Sequence, residues 1–406
     1  MIKDFLNSSG AYIKFLILAL CIINKCWSQI LPSSFGVHHK PSEASVNYAL
    51  FFDADGEYIS TEGSQISGAW TIEVWYKRPV NTNTASFLRA NAGNNIAGNW
   101  EIILSNKYVY SGTNYYGVSI GNNSGLGGTW YPNTPVVDTW EHVVVRQTSG
   151  GYFDHYLNYQ IDGGVNWNTV LNWAYISNLT NGLRGEIDEV RIWNDLRSND
   201  EIIDNMHIEL QGNESNLVAY YKMSDGNGTS LSDNSSNNYS GTITGASWAT
   251  SYAPIGNLEN SYKYKPYALW KKTGTSNSRG SNGLSLNVSV SLTESNYVIY
   301  GNNDNTGIST TNLPSGESLQ KRSSRIWQFD EIGTVTSDIK IDISSATGNS
   351  VTPSSASNYK LLYKSCDSCN FSVYATGSSN SGDVVTFSNI TIQDGFYAIA
   401  TTDSNL

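Results

Sequence analysis

From Tyr48 to Thr401 the chain repeats one pattern: a short run rich in β-branched and aromatic residues, closed by glycine, asparagine or aspartate. Runs of that length and composition read as strands, and their close spacing reads as antiparallel sandwiches rather than parallel sheets with crossover helices. The first series is Tyr48 to Asp53, Trp70 to Lys77, Trp100 to Leu104, Tyr115 to Ile120, Trp140 to Arg146, Tyr156 to Asp162, Leu183 to Trp193 and Leu217 to Met223. One stretch departs from it. Ser198 to Leu210 (SNDEIIDNMHIEL) offers Ser198 as a cap with Glu201 three residues later, and places Ile202, Ile203, Met206 and Leu210 at helical spacing, so a single short helix is predicted there. With charged residues at only 15% of the chain, a coiled coil is excluded. The predicted class is all-β.

The N-terminus has a different character. Lys3 and Lys14 precede the apolar run Phe15 to Ile23, and a polar stretch from Asn24 to Gln29 follows, the order of a secretory signal peptide. The run is too short to span a bilayer, which takes about 20 residues. Cleavage is expected near Ser28, giving a signal peptide at 1–28, a secreted or cell-surface location, and no transmembrane helix in the mature chain. Leu20 and Lys25 stand before Cys21 and Cys26, where a lipoprotein signal requires a small residue, so a lipid anchor is disfavoured. The net charge of -11 becomes about -13 once the basic leader is removed, and such a chain repels phosphate backbones. Nucleic acid is therefore not an expected partner. The two remaining cysteines, Cys366 and Cys369, are expected to form a local disulfide, since an exported chain meets an oxidising compartment.

Residues 29–47 read as an N-terminal arm and 48–251 as the first β-domain. Pro254 and Gly256 break the pattern within 252–264, which reads as a linker. A second β-sandwich is predicted over 265–402, from segments that include Leu284 to Leu292, Tyr297 to Tyr300, Arg325 to Phe329, Tyr359 to Lys364 and Tyr397 to Thr401. No repeat of fixed period is present, which argues against solenoids and propellers.

An ordered set of phrases in the first half carries a family resemblance: ALFFDADGEY from Ala49, WTIEVWY from Trp70, WEHVVV from Trp140, QIDG from Gln160, LRGEIDEVRIW from Leu183 and LVAYYKM from Leu217. Together they resemble a laminin-G-like, concanavalin A-like lectin domain over about residues 46–250. The resemblance implies a jelly-roll of two curved antiparallel sheets, with binding loops at the rim or along the concave face. The second half, with VIYGN from Val298, LPSGE from Leu313, RIWQFDEIG from Arg325 and DGFY from Asp394, is similar to a poorly characterised β-domain that follows such lectin modules in secreted proteins of Bacteroidota. Proteins of that kind usually carry a C-terminal sorting domain. The chain stops at Leu406, so the expectation is either a fragment or another route of export.

Concanavalin A-like folds also include laminarinase-type glycosidases, with Glu-x-Asp-x-x-Glu on one strand. Here Glu186-Ile187-Asp188-Glu189-Val190-Arg191 lacks the last carboxylate, because Arg191 stands in its place. A retaining glycosidase needs two carboxylates about 5–5.5 Å apart, so catalysis is not favoured and no catalytic residue is named. Alternation along a strand would place Asp188 on one face with Val190 and Ile192, beside a core. Calcium, with Asp53, Asp55 and Asp188 as ligands, is one way to accommodate that charge. The preferred alternative is an aspartate hydrogen-bonded to neighbouring amides. No cofactor is required by this reading. His142 falls inside a strand phrase, and the other histidines lack metal spacing.

Nine of the 12 tryptophans lie between Trp70 and Trp248, far more than the strand phrases alone account for. Trp70, Trp75, Trp140 and Trp193 fall within strands and read as core or wall. Trp100, Trp130, Tyr131, Trp167 and Trp173 fall near glycine- and asparagine-rich loops, where a ring can stack on a sugar while amides bind its hydroxyls; the competing reading is rings folded back as lids. The functional expectation is a non-catalytic carbohydrate-binding or adhesion protein. Its partners would be a glycan or surface polymer, with cell-surface proteins as a further class. The rival readings are a glycan hydrolase with an atypical site and a structural surface or appendage subunit.

Overall fold

Strand Trp70–Lys77 (WTIEVWYK) shows why the first half folds as it does: seven of its eight residues are buried. One face meets the facing sheet, and on the other Trp75 packs in a cluster shared with a second sandwich while Thr71 and Glu73 meet Asp195 and Trp193. The computed structural model describes residues 47–79, 86–89, 101–110, 113–122, 125–130, 137–179, 182–273, 276–277, 282–404 and 406. The expected signal peptide, most of the N-terminal arm, and Trp100 and Tyr131 lie outside the described residues.

The first sandwich has two eight-stranded antiparallel sheets. One runs Gln160–Asn166, Tyr152–Leu157, Trp140–Gln147, Trp70–Lys77, Gly185–Trp193, Tyr48–Phe52 and Ser247–Thr250, with Leu217–Tyr221 also paired to Gly185–Trp193. The other runs Ser230–Leu231, Gly241–Thr244, Tyr58–Thr61, Tyr175–Ser177, Ser86–Arg89, Glu101–Tyr110, Thr113–Asn122 and Gly125–Trp130. Leu50, Phe52, Ile72, Val74, Val143, Ile187 and Ile192 from the first sheet meet Ile59, Phe87, Leu88, Ile176 and Ile243 from the second in one core. This is the jelly-roll sandwich expected. The predicted strand Tyr156 to Asp162 is instead a hairpin, because Asn158 adopts a left-handed φ of 58° between Tyr152–Leu157 and Gln160–Asn166. Asparagine tolerates that conformation, and its side chain accepts a hydrogen bond from the His142 N–H at 3.0 Å.

The predicted helix spans Asn199–Asn205 and carries both halves of its capping box. The Glu201 N–H donates to the Ser198 hydroxyl, and the Ser198 N–H donates to the Glu201 carboxylate. Ile202 is its buried anchor, against Val144 and Tyr156.

The second sandwich packs sheets of eight and five strands around Leu286, Val298, Trp327, Phe329, Ile339, Leu361, Phe387 and Ile399. The two cores are separate, yet the sandwiches belong to one compact unit, Val46–Leu406. Between them lies a shared apolar cluster: Trp75 and Trp140 from the first, Trp270, Tyr297 and Ile299 from the second, and Met206, Ala253 and Leu258 from the connecting segments. Three of its polar side-chain atoms donate to backbone carbonyls. The Trp75 indole N–H donates to the Met206 carbonyl at 2.8 Å, the Trp270 N–H to the Trp140 carbonyl at 3.1 Å, and the Tyr297 hydroxyl to the Ala253 carbonyl at 3.1 Å. No helix among the described residues is long and apolar enough to cross a membrane.

Candidate ligand-binding site

At the end of hairpin Tyr152–Leu157 and Gln160–Asn166, Tyr152 pairs across the ladder with Asn166. Two glycines make the local geometry possible. A Cβ at Gly164 would lie 2.7 Å from the Tyr152 ring, so only glycine lets that ring lie over the strand. Gly151, at φ +84°, leaves room for Asn168, whose Cβ would stand 2.6 Å from one added there. The Trp167 N–H then donates to the Gly151 carbonyl at 2.9 Å, locking the turn before Tyr152 to the segment after Asn166. Gln147 completes the brace: its amide nitrogen donates to the Thr169 carbonyl at 2.8 Å, and its amide oxygen accepts from the Thr169 N–H at 2.9 Å.

The result is a patch with Tyr152 at 41% exposure, a partly buried Trp167, and the exposed side chains of Asn166 and Asn168. Trp167 packs, partly buried, against the jelly-roll core. Aromatic faces flanked by amides on a braced backbone can take a polyhydroxylated ligand, apolar ring faces against CH groups and amides against hydroxyls. Tyr152 was not singled out from sequence; its position opposite an asparagine in an exposed hairpin end is the signal that could have found it.

The other predicted rings divide sharply. Trp173 is 1% exposed and packs against Gly63, where a Cβ would come within 2.3 Å of the ring. A ring so enclosed has no face for a sugar, so Trp173 is a core residue. Trp130 ends strand Gly125–Trp130, for which the backbone alone is described. Trp100 and Tyr131 lie outside the described residues.

Of the acidic positions, the Asp55 and Asp188 carboxylates are held by protein partners. Asp53 is exposed in a turn where the Asp53 and Ala54 N–H groups donate to the Glu57 carboxylate at 2.6 and 3.0 Å. Asp55 pairs with Arg184 at 2.7 Å. Asp188 accepts from the Ser251 hydroxyl at 2.6 Å, the Glu189 N–H at 2.8 Å and the Asn47 amide at 3.2 Å. Among the described residues, no group of three His, Cys, Asp or Glu side chains is arranged to hold a metal ion.

The expected sharing of one face by Asp188, Val190 and Ile192 does not occur. Glu189 takes a left-handed φ of 53°, and Glu189 and Val190 together oppose the single residue Val74, a β-bulge. The extra residue shifts the alternation: Ile187, Val190 and Ile192 face the core, while Asp188 hydrogen-bonds beyond the opposite face. There it joins a set of buried polar groups beneath the helix. The Arg191 guanidinium, fully buried, donates to the Glu189 carboxylate and to the Asn205 and Ile208 carbonyls at 2.8 and 2.7 Å. Tyr220 donates to Glu189, and Trp193 donates to Glu73 at 2.8 Å. His142 Nε2 stands 3.3 Å from Glu73. Burial alone would raise the Glu73 carboxyl, but His142, Arg191 and Trp193 outweigh it and hold it below its ordinary value. Burial also lowers His142, against the pull of Glu73. Burial raises both Asp188 and Glu189. Arg191, in the place of the missing catalytic glutamate, thus ties the helix and the segment after it to the sheet.

Cys366 and Cys369 are joined in a disulfide. Its loop is bound to the inter-sandwich connection, where the Tyr262 hydroxyl donates to Asp367 at 2.5 Å.

Comparison with known proteins places these features in a family context. Residues 53–203 match the model of the concanavalin A-like lectin/glucanases superfamily, and residues 270–396 match a domain of unknown function. No curated protein matches the chain. Similar solved structures include a candidate carbohydrate-binding protein from Bacteroides ovatus, at 18% identity and a TM-score of 0.41, covering 53% of this chain; the chain spans 62% of that protein. A heptameric SAP-like pentraxin from Limulus polyphemus is 12% identical, with a TM-score of 0.30 over 39% of this chain and 80% of its own. The ligand-binding domain of botulinum neurotoxin serotype D, in complex with N-acetylneuraminic acid, is 10% identical, with a TM-score of 0.31 over 88% of each chain.

Proposed function

We propose that the chain is a secreted or cell-surface protein that binds a glycan or surface polymer without cleaving it, as an adhesin or capture module. The observation that carries the reading is the Tyr152, Asn166, Trp167 and Asn168 patch, braced on a sandwich whose sequence matches a lectin/glucanase superfamily. The place of Arg191 supports the non-catalytic half: it occupies the motif's last carboxylate position and is engaged by Glu189 and two carbonyls. Calcium at Asp53, Asp55 or Asp188 is not needed for the patch to bind, so affinity should survive a chelator. Trp100, Trp130 and Tyr131 remain candidates to extend the surface. Export with removal of 1–28 and the division of the mature chain near 252–264 complete the proposal, and cell-surface proteins are the further class of partner.

The test is binding of the pure mature protein to a polysaccharide panel, with and without chelator, together with a reducing-end assay. If ring stacking carries affinity, Trp167→Ala and Tyr152→Ala each weaken binding by about 1–3 kcal/mol, the magnitude measured for aromatic–base stacking. Unchanged affinity in both variants, or release of reducing ends, overturns the reading.

A further inference from the structure

Where hairpin Tyr152–Leu157 and Gln160–Asn166 opens, the outer face of its sheet carries two ranks of side chains. In the first, Tyr152 stands opposite Asn166, and the Thr148 hydroxyl accepts from the Tyr152 N–H at 3.2 Å. In the second, Asp154 stands opposite Gly164 on one side and Arg146 on the other. Phe153, between the two ranks, is buried in the jelly-roll core, so Tyr152 and Asp154 both point outward. The tyrosine also reaches across: a Cβ at Gly164 would stand 2.7 Å from its Cζ and 2.7 Å from its hydroxyl oxygen. The hydroxyl end of the ring thus lies over the residue that faces Asp154, and an ion pair borders the aromatic face.

That pair is closed on the arginine's side. Arg146 donates from Nε to one Asp154 oxygen at 2.7 Å, from Nη2 to the other at 3.1 Å, and from Nη1 to the Arg197 carbonyl at 2.5 Å. Its guanidinium also lies 4.7 Å from the centre of the Tyr156 ring. The two side chains are 10% and 17% exposed, so the carboxylate keeps an open edge above a clamped arginine. Each Asp154 oxygen takes one of these N–H groups and has a further lone pair.

A sugar lying on the Tyr152 ring can therefore donate a hydroxyl to Asp154 as a charge-assisted hydrogen bond. A carboxylate or sulfate on the sugar would instead meet Asp154 with the Arg146 charge already matched, on a chain whose net charge is -11. Like charges so placed reject the wrong partner. Building on the patch reading, we propose that Asp154, fixed by Arg146, sets the substrate class of this site: neutral, hydroxyl-rich polysaccharides, with acidic ones excluded.

The experiment uses the whole mature chain and three polymer pairs: dextran, hydroxyethylcellulose and galactomannan, each beside a carboxymethylated form. Wild type should bind at least one neutral polymer at least about tenfold tighter than its carboxymethylated form at low salt. The gap should narrow in 1 M salt, where the Debye length falls to about 3 Å. Asp154→Asn leaves the Arg146 charge unmatched and should bind the carboxymethylated polymer at least about fivefold tighter than wild type does. Asp154→Glu, which keeps the charge, should keep the rejection. Glu317→Gln, at an exposed position of the second sandwich, changes net charge equally and should leave the ratio as it was. Equal affinity of wild type for both members of a pair overturns the proposal without recourse to any variant. So does a folded Asp154→Asn protein with an unchanged ratio, a lost rejection in Asp154→Glu, or an equal gain in Glu317→Gln. Failure of the patch reading has a different signature: neutral-polymer affinity unchanged by Tyr152→Ala and Trp167→Ala, whatever the charge variants do. If none of the six polymers binds, both readings fall.

Discussion

Replacing Arg191 with methionine should destabilise the fold far more than any surface charge change. Arg191 is 0% exposed, and its guanidinium donates to Glu189, Asn205 and Ile208. Methionine approximates the buried volume but supplies no donor, leaving two carbonyls without their partner and Glu189 with only the Tyr220 hydroxyl. Breaking a buried ion pair by removing one partner costs about 3–5 kcal/mol, and the carbonyl losses are not additive with it because all belong to one network. Glu189 can relieve part of this by taking up a proton, since burial already raises its carboxyl; the loss at pH 5 should therefore be smaller than at pH 8. The control is Arg184→Met, which removes the pair with Asp55, a side chain 58% exposed, and should cost less than about 1 kcal/mol. Urea unfolding followed by tryptophan fluorescence and far-ultraviolet circular dichroism measures both. A loss below about 1 kcal/mol for Arg191→Met, or one equal to that of Arg184→Met, would refute the structural role given to the residue.

Burial raises Asp330 to about 6, despite the Asn257 N–H it accepts. A carboxyl raised above its unfolded value contributes stability at acid pH that is lost as pH rises from about 4 towards 6. Asp330→Asn should therefore raise the unfolding free energy at pH 8 relative to pH 4.5, by on the order of 2 kcal/mol, and an unchanged pH profile would contradict this. Intact mass should lie two hydrogens below the reduced value, and Cys366→Ser/Cys369→Ser should cost about 2 kcal/mol by the loop-entropy relation; alkylation of both thiols without reductant would count against it. Gly63→Ala should destabilise by more than about 2 kcal/mol, because the new methyl would stand 2.3 Å from the Trp173 ring, and a melting temperature equal to wild type would refute that packing.

The parts of the fold that could be read in the sequence are those fixed by local chemistry. Ser198 and Glu201 announce the helix because each satisfies the other's backbone N–H, and the strand phrases announce themselves as β-branched and aromatic runs closed by glycine, asparagine or aspartate. What escaped depends on tertiary context. Nothing in GEIDEVRIW marks Glu189 for a left-handed φ; the bulge exists because Arg191, Tyr220 and the segment after the helix hold it there, and one extra residue moves Asp188 across the sheet. Trp75 and Trp140 were legible as buried, but periodicity tells that a face is covered and not by what. Their partners, Trp270 and Tyr297, are more than a hundred residues away. The candidate site was half legible: Trp167 stood out by composition, whereas Tyr152 enters it through cross-strand pairing.

The central claim is glycan capture without turnover, and the most direct measurement applies wild type, Trp167→Ala and Tyr152→Ala to one immobilised polysaccharide panel while assaying reducing ends in the same wells. The account predicts that wild type binds at least one polysaccharide, that both substitutions weaken that binding at least about tenfold, and that reducing ends stay at the buffer level. Binding that is indifferent to both rings, or reducing ends that accumulate with enzyme-like time dependence, would contradict it.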